Sequence, residues 1–335
     1  MNAARAVIDS YDAVLFDLDG VIYLGPIAVP GAAAGIAQLH DRGTKIGFVT
    51  NNAARPPTAV AEHLVELGIP ATAADVVTSA QAAAHLLLNR FGAGARILAV
   101  GGDGVTAALG EASLIAVHSA DDDPIAVIQG YGFDLQWQEL NEAAIAIHRG
   151  AHWVATNVDP TRPTDRGLVP GNGAAVAAVR MAVPAEPEVA GKPYRPLLDD
   201  TVDRLNAQHP LFVGDRLDTD IAGAVNAGLD SMLVLSGSHR AEELLAAPHG
   251  QRPNHVGEDL RALLSPALAV SHTTTEFRCG RATASAADGR LMVHSNGATR
   301  IEAIWAAAHA IWWAVDHGLP VDWSHVLEQI PDPLR

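Results

Sequence analysis

Cysteine, aromatic residues and basic residues are all scarce in this sequence of 335 residues. There is one cysteine, Cys279, and Phe, Trp and Tyr together make up 5% of the chain. One cysteine cannot form a disulfide within the chain, which fits a reducing compartment. Lys and Arg number 22 against 38 Asp and Glu, for a formal net charge of −16. This deficit argues against a nucleic-acid-binding surface, which needs a basic stripe, and any anionic ligand needs a local positive site.

Long apolar runs are also missing. No stretch approaches the ~18 uncharged apolar residues of a membrane span, so none is expected. Residues 1–10 lack the apolar segment of a signal peptide, and we therefore expect a cytoplasmic protein. Apolar residues still make up 49% of the chain, enough for a sizeable core, and the length suggests two or three domains of roughly 100–200 residues.

Several nucleotide and metal motifs are absent. The first strand is not followed by GxGxxG, and the glycines at 101, 102 and 104 fall late, without that spacing, which disfavours a dinucleotide-binding oxidoreductase. GxxxxGK[ST] is missing, which disfavours a P-loop kinase. The 15 histidines are scattered without an HExxH spacing.

What the sequence does contain is an alternation of strand-like and helix-like segments. The apolar run at 13–16 predicts a buried strand, and similar runs occur at 45–50, 97–100, 125–129, 153–156, 210–215 and 231–235. Helical patterns lie between them, one beginning near Thr58 and another covering 135–148. This order predicts an α/β fold with a doubly wound parallel sheet.

Four polar signals typical of strand ends occur along the chain, in the order Asp17-Leu18-Asp19-Gly20, Thr50-Asn51-Asn52, Gly191-Lys192-Pro193 and Gly214-Asp215-Arg216-Leu217-Asp218-Thr219-Asp220. A doubly wound sheet brings such signals to one edge. Together they suit phosphoryl transfer: a carboxylate nucleophile, a second acid for proton transfer, Mg²⁺ on oxygen ligands, and a lysine with a hydroxyl to hold phosphoryl oxygens. Taken singly each is weak, and Asp220 is equally interpreted as a helix cap.

The stretch between Thr50 and Lys192 far exceeds the ~30 residues of one crossover unit, so we expect an inserted domain. The predicted division is a core at 1–80 and 188–264, an α/β insert at 81–187, and an α+β appendage at 265–335. In the appendage, 276–293 predicts a hairpin turning at 287–289, and 301–316 predicts an amphipathic helix with Val315 on its apolar stripe. We expect this helix to dock on the main body or on a second subunit.

The four signals, written DLDGV, VTNN, GKP and GDRLDTDI, resemble those of the haloacid dehalogenase-like phosphatases. The insert is similar to the large α/β cap of the NagD-like subclass, which includes p-nitrophenyl phosphate and phosphoglycolate phosphatases. Including the appendage, the chain resembles glycerol-3-phosphate phosphatases that carry a reduced acetyltransferase-like tail. The tail shows no clear pyrophosphate loop, so we predict no acetyl transfer.

The resemblance implies a role for each site residue. Asp17 is the expected nucleophile and Asp19 the general acid/base. Asp17, Asp215 and the backbone carbonyl of Asp19 are the expected Mg²⁺ ligands, supported by Asp220. Thr50 and Lys192 are expected to bind the phosphoryl group, which Asn51 helps to position.

The cap is expected to supply a substrate contact. Arg162 is the candidate, because a guanidinium holds hydroxyl or carboxylate oxygens, and the alternative is a surface arginine. The leading hypothesis is therefore a Mg²⁺-dependent hydrolase of a small phosphorylated metabolite, with glycerol 3-phosphate first and phosphoglycolate or p-nitrophenyl phosphate as alternatives. A homo-oligomer is expected. The non-enzyme alternative is a metabolite-binding or scaffold protein that acts through its tail.

Overall fold

The computed structural model describes residues 5–164, 166–287 and 289–330. They divide into two compact units. One contains the residues up to Leu24, Ala28–Arg42 and the chain from His209 onward, and the other contains Gly25–Ile27 and Gly43–Gln208. Among the described residues, no helix has both the length and the apolar character that crossing a membrane requires. The boundaries of the predicted core, cap and appendage stay predictions.

The first unit is built on parallel strands in the order β15-β14-β13-β1. Their bounds are β1 Ala13–Asp17, β13 Pro210–Gly214, β14 Asp230–Val234 and β15 His255–Gly257. The short strands β2 and β3 cover Tyr23–Leu24 and Ile27–Ala28. Strand β1 is apolar and buried from Ala13 to Phe16, as parallel strands covered on both faces are. Phe16 pairs with Val213, so β1 and β13 end side by side.

Helices α1 Ala32–Asp41, α8 Ala222–Ala227, α9 Ala241–Leu245, α10 Arg300–Asp316 and α11 Val326–Gln329 belong to the first unit. A single π-helical turn, Leu217–Ile221, leads from the end of β13 into α8. The antiparallel strands β16 Val270–His272, β17 Glu276–Cys279, β18 Ala282–Ala287 and β19 Arg290–His294 form one sheet in chain order. The predicted hairpin is thus part of a larger meander, and Asp288 of its predicted turn lies outside the described residues.

The second unit contains two groups of parallel strands. Strands β4 Lys45–Thr50 and β5 Val76–Thr78 pair through Val49 and Val77. A separate sheet has the order β12-β9-β8-β6-β7, with bounds Glu188–Val189, His152–Ala155, Ala126–Gln129, Arg96–Val100 and Ile115–Val117. Strands β10 Thr161–Thr164 and β11 Gly167–Pro170 form an antiparallel pair. The predicted α/β class and most of the predicted strands are confirmed.

Helices α2 Pro57–Glu66, α3 Ser79–Phe91, α4 Asp103–Glu111, α5 Trp137–His148, α6 Asn172–Arg180 and α7 Pro196–Leu205 complete the second unit. Helix α2 begins at Pro57, close to the predicted start near Thr58, but Thr58 is not its N-cap. Pro56 is the N-cap and Pro57 already lies in the helix, because proline is pre-organised for the first helical position and has no N–H to leave unpaired.

The tail helix α10 packs inside the first unit, which confirms one of the two predicted docking modes. Its buried side chains join those of α9 and of strands β14 and β17–β19 in one apolar cluster. The Trp312 indole N–H donates to the Leu244 carbonyl at 3.2 Å. Because the helix is covered on several sides, Ala303, Ala307 and Ala310 are also buried, whereas Val315 of the predicted stripe is 56% exposed. The single-stripe prediction is therefore wrong in this part.

Candidate active site

Three carboxylates of the first unit meet where β1 and β13 end. Asp17 closes β1, Asp215 follows β13, and Asp220 lies on the π-helical turn. One oxygen from each lies within 4.8 Å of the others. The pairing of Phe16 with Val213 explains this proximity, because it aligns the two strand ends. Asp215 and Asp220 are each 1% exposed, so the group needs compensating positive charge.

Asp220 does not act as a simple helix cap. Its Oδ2 accepts the backbone N–H groups of Asp215 at 3.1 Å and of Arg216 at 3.0 Å. These two bonds hold the backbone that carries Asp215. The Asp220 side chain can lie this close to the backbone only because residue 214 is glycine: a Cβ on Gly214 would lie 2.2 Å from the Asp220 Cβ.

The Asp215 carboxylate lies in a tight backbone cradle. Its Oδ2 accepts the Ser238 N–H at 2.6 Å, and its own carbonyl accepts the His239 N–H at 3.1 Å. A Cβ on Gly20 would lie 2.2 Å from Oδ2, and one on Gly237 would lie 2.1 Å from it. Gly20 also has φ +90°, a left-handed conformation that glycine tolerates. The segment 236–239 was missed by sequence reasoning, because no pattern ties it to Asp215.

Asp19 differs from the buried Asp215 and Asp220 in its exposure to solvent. It is exposed and lies in the turn after β1, where the Gly20 N–H donates to the Tyr23 carbonyl at 2.8 Å. An exposed carboxyl two residues beyond the nucleophile candidate is accessible to a leaving group and to water.

Asp218 lies beside these acids and forms a two-pronged ion pair with Arg216. Partial burial of Asp218 raises its pKa, but the hydrogen bonds and the positive charge of Arg216 outweigh this, and the net pKa is lowered.

The polar residues after β4 and β12 lie in the second unit. Thr50 is buried at the end of β4, where its Oγ1 accepts the Asn52 N–H at 3.0 Å. Lys192 is 2% exposed. The Asn51 side chain binds both backbone groups of Lys192: Oδ1 accepts its N–H at 2.9 Å and Nδ2 donates to its carbonyl at 3.0 Å. The structure thus brings Asn51 and Lys192 together.

Arg162 lies on β10 and is partly buried. Its guanidinium carbon is 5.1 Å from the centroid of the Tyr131 ring and 5.4 Å from that of Phe133, within the range of cation–π contacts. The Arg162 Nε is buried and has no hydrogen-bond partner among the described residues.

The donor set suits a hard divalent cation. Mg²⁺ prefers carboxylate oxygens, usually one or two together with water and substrate phosphate. One carboxylate oxygen from each of Asp17, Asp215 and Asp220 lies within 4.8 Å of the others, so these residues offer oxygen donors at a spacing that one such cation could bridge.

Comparison with known proteins agrees with this geometry. The profile of the haloacid dehalogenase-like hydrolases matches residues 14–114, and that of the HAD-hydrolase-like proteins matches residues 189–263. A D-glycerol 3-phosphate phosphatase of Mycobacterium tuberculosis is 47% identical over 77% of this chain and 72% of its own length. The chain belongs to the haloacid dehalogenase-like hydrolases. The family resemblance of the four signals is thereby confirmed.

Other relatives of this hydrolase are also phosphatases. An acid sugar phosphatase of Staphylococcus haemolyticus is 34% identical over 76% of this chain and 96% of its own length. The crystal structure of glycerol phosphate phosphatase from M. tuberculosis in complex with magnesium superposes with a TM-score of 0.85, at 42% identity, over 92% of this chain and 93% of that one. The p-nitrophenyl phosphatase of Archaeoglobus fulgidus has a TM-score of 0.71 at 27% identity, over 76% and 98%. The protein is therefore an enzyme and a phosphatase, rather than a scaffold.

Proposed function

We propose that this hydrolase removes phosphate from a small phosphomonoester, with glycerol 3-phosphate as its preferred substrate and Mg²⁺ as its cofactor. The observation that carries the proposal is the convergence of Asp17, Asp215 and Asp220 at the paired ends of β1 and β13. The 47% identity to a D-glycerol 3-phosphate phosphatase supports the choice of substrate.

In the proposed reaction, an oxygen of Asp17 attacks phosphorus and forms an aspartyl phosphate while the ester oxygen leaves. Asp19 donates a proton to that leaving oxygen, then takes a proton from the water that attacks the acyl phosphate. Lys192 and Thr50 hold the phosphoryl oxygens. The oxygens of Asp17 and Asp215 and the carbonyl of Asp19 would hold Mg²⁺, which when bound neutralises charge on the carboxylates and the phosphoryl group.

Arg162 is proposed to contact the leaving group. Its guanidinium carbon lies 5.1 Å from the centroid of the Tyr131 ring and 5.4 Å from that of Phe133, and the guanidinium is the proposed donor to a substrate hydroxyl. The variant Arg162→Gln is expected to raise KM for glycerol 3-phosphate more than KM for p-nitrophenyl phosphate, which has no hydroxyl group. Equal changes in the two KM values would argue against this contact.

A second candidate function is hydrolysis of p-nitrophenyl phosphate or 2-phosphoglycolate, favoured by the structural likeness to the p-nitrophenyl phosphatase of A. fulgidus. We propose the cytoplasm as the location, because Cys279 is buried and unpaired to any other cysteine. Assembly into a homo-oligomer and the absence of nucleic-acid binding stay predictions.

The test is phosphate release by the full-length protein from glycerol 3-phosphate, 2-phosphoglycolate and p-nitrophenyl phosphate. We expect the highest kcat/KM on glycerol 3-phosphate, loss of release with excess chelator, and recovery when Mg²⁺ is added. Release that persists unchanged in chelator would contradict the metal requirement. A higher kcat/KM on one of the other two esters would mean that this ester, and not glycerol 3-phosphate, is the preferred substrate.

A further inference from the structure

The side-chain amide of Asn51 is fully hydrogen-bonded to other groups of the protein. The amide nitrogen donates to the Lys192 carbonyl at 3.0 Å and to Asp159 Oδ2 at 3.1 Å, and the amide oxygen accepts the Lys192 N–H at 2.9 Å. An asparagine amide has two N–H donors, and both are engaged here. The group therefore has no amide proton left for a phosphoryl oxygen.

These partners also determine which way the amide faces. The Lys192 N–H requires an acceptor, whereas the Lys192 carbonyl and the Asp159 carboxylate both require donors. Rotating the amide by half a turn would oppose donor to donor and acceptor to acceptor. Asp159 therefore favours the one orientation in which Asn51 binds both backbone groups of Lys192.

The backbone on either side of this contact is held as well. The Asn51 carbonyl accepts the Ser79 hydroxyl at 2.6 Å and the Asn157 amide at 2.7 Å. The Asn157 side chain also accepts the Asp159 N–H at 3.1 Å, which ties Asp159 to the same turn. A Cβ on Gly191 would lie 2.6 Å from Asn51 Oδ1, so glycine is needed next to Lys192 for the approach.

We propose that Asp159 is a positioning residue for the phosphate-binding lysine. Through the Asn51 amide it holds the backbone of Lys192, and so sets where the buried ammonium group meets the phosphoryl oxygens. The proposal rests on the function proposed above, because it takes Lys192 to bind phosphate. A charged acceptor polarises the amide and strengthens its bond to the Lys192 N–H, which makes Asp159 more effective than a neutral acceptor.

The test measures binding of inorganic phosphate, which has no leaving group, to the full-length protein with Mg²⁺ by calorimetry. Asp159→Ala is expected to raise the Kd for phosphate about tenfold, and Asp159→Asn by less, because it keeps an acceptor oxygen. The double variant Asn51→Ala/Asp159→Ala is expected to be no weaker than Asn51→Ala alone, since Asp159 acts through Asn51.

The matched control is Asp121→Ala, which removes an exposed carboxylate that accepts hydrogen bonds from Arg149 in the same unit. It should leave the Kd for phosphate unchanged. An unchanged Kd in Asp159→Ala, with a raised KM for the ester, would overturn the proposal and place Asp159 against the leaving group. Additive losses in the double variant would also overturn it.

Misfolding and failure of the proposed function give different results. A fall in Tm without rescue of phosphate binding by Asp159→Asn would mean that Asp159 has only a structural role, and would count against the proposal. If the unaltered protein hydrolyses p-nitrophenyl phosphate but not glycerol 3-phosphate, the substrate is wrong, and the phosphate-binding test still decides the role of Asp159.

Discussion

Gly237 lies so close to Asp215 that a Cβ on the glycine would stand 2.1 Å from the carboxylate Oδ2. The next residue, Ser238, donates its N–H to that oxygen at 2.6 Å. Backbone packing and one hydrogen bond therefore place a carboxylate that is proposed to hold a metal.

Gly237→Ala is expected to displace the Asp215 carboxylate, since the methyl group cannot share its space. We expect at least a tenfold lower kcat/KM and a higher Mg²⁺ concentration for half-maximal activity, because misplaced catalytic groups are costly. Gly250→Ala is the control, since a Cβ there meets nothing within 4 Å. Equal Mg²⁺ dependence in the two variants would show that the cradle does not set the metal site.

Asp220→Ala removes the acceptor of two backbone N–H groups. Leaving buried donors unpaired costs about 1–3 kcal/mol. We expect a lower Tm together with a higher half-saturating Mg²⁺ concentration in activity assays. Asp218→Ala is the neighbouring control, because Asp218 is half exposed and pairs with Arg216. If Asp218→Ala raised the half-saturating Mg²⁺ concentration as much as Asp220→Ala, the conclusion that only Asp220 supports the metal site would be wrong.

Asp17→Asn should abolish phosphate release, because an amide oxygen is a poor nucleophile. Turnover is expected to fall by at least about a thousandfold, as losses of nucleophiles do in other hydrolases. The control is Asp9→Asn, an exposed acid that pairs with Arg42. Near-normal release by Asp17→Asn would exclude the aspartyl phosphate route.

Trp312 anchors the tail helix in the first unit. It is 6% exposed, whereas Trp137 is 72% exposed. We expect Trp312→Ala to lower the free energy of unfolding by about 3–5 kcal/mol, because it leaves a cavity and removes the indole hydrogen bond to the Leu244 carbonyl. Trp137→Ala should change it by about 0.5 kcal/mol or less. Urea titrations compare the two, and equal losses would mean that the tail does not depend on this packing.

We predict that the buried His309 makes the stability of the tail depend on pH. Burial, with smaller contributions from Arg252 and His272, lowers the pKa of His309 to about 4. In the unfolded chain the pKa of this histidine is about 6.5, so between about pH 6.5 and pH 4 the unfolded state binds more protons than the folded state. The stability present at neutral pH is therefore lost as the pH falls through this range.

At about pH 4.5 this loss amounts to about 2–3 kcal/mol. The variant His309→Gln should lack that component, so its unfolding free energy should fall less between about pH 7.5 and pH 4.5. Urea titrations at both values measure the difference between the two proteins. Parallel losses in both would show that His309 does not contribute.

The strand-end acids and the alternation of strands with helices were predictable from local pattern. The run 13–16 is apolar throughout and is followed directly by Asp17, so strand and site residue are visible together. The α10 stripe was predicted less well. Periodicity reports one buried face, whereas α10 is covered on several sides, and its many alanines carry no signal for which faces are buried.

The sequence by itself determined the family, the parallel-strand architecture and the identity of the acids, lysine and threonine proposed for phosphoryl transfer. These follow from short apolar runs and the polar residues next to them. The tertiary structure decided how those residues are held: Gly237 and Ser238 around Asp215, and Asp159 and Asn51 on the backbone of Lys192. Such contacts join residues far apart in the chain, and their geometry depends on packing that no local pattern encodes.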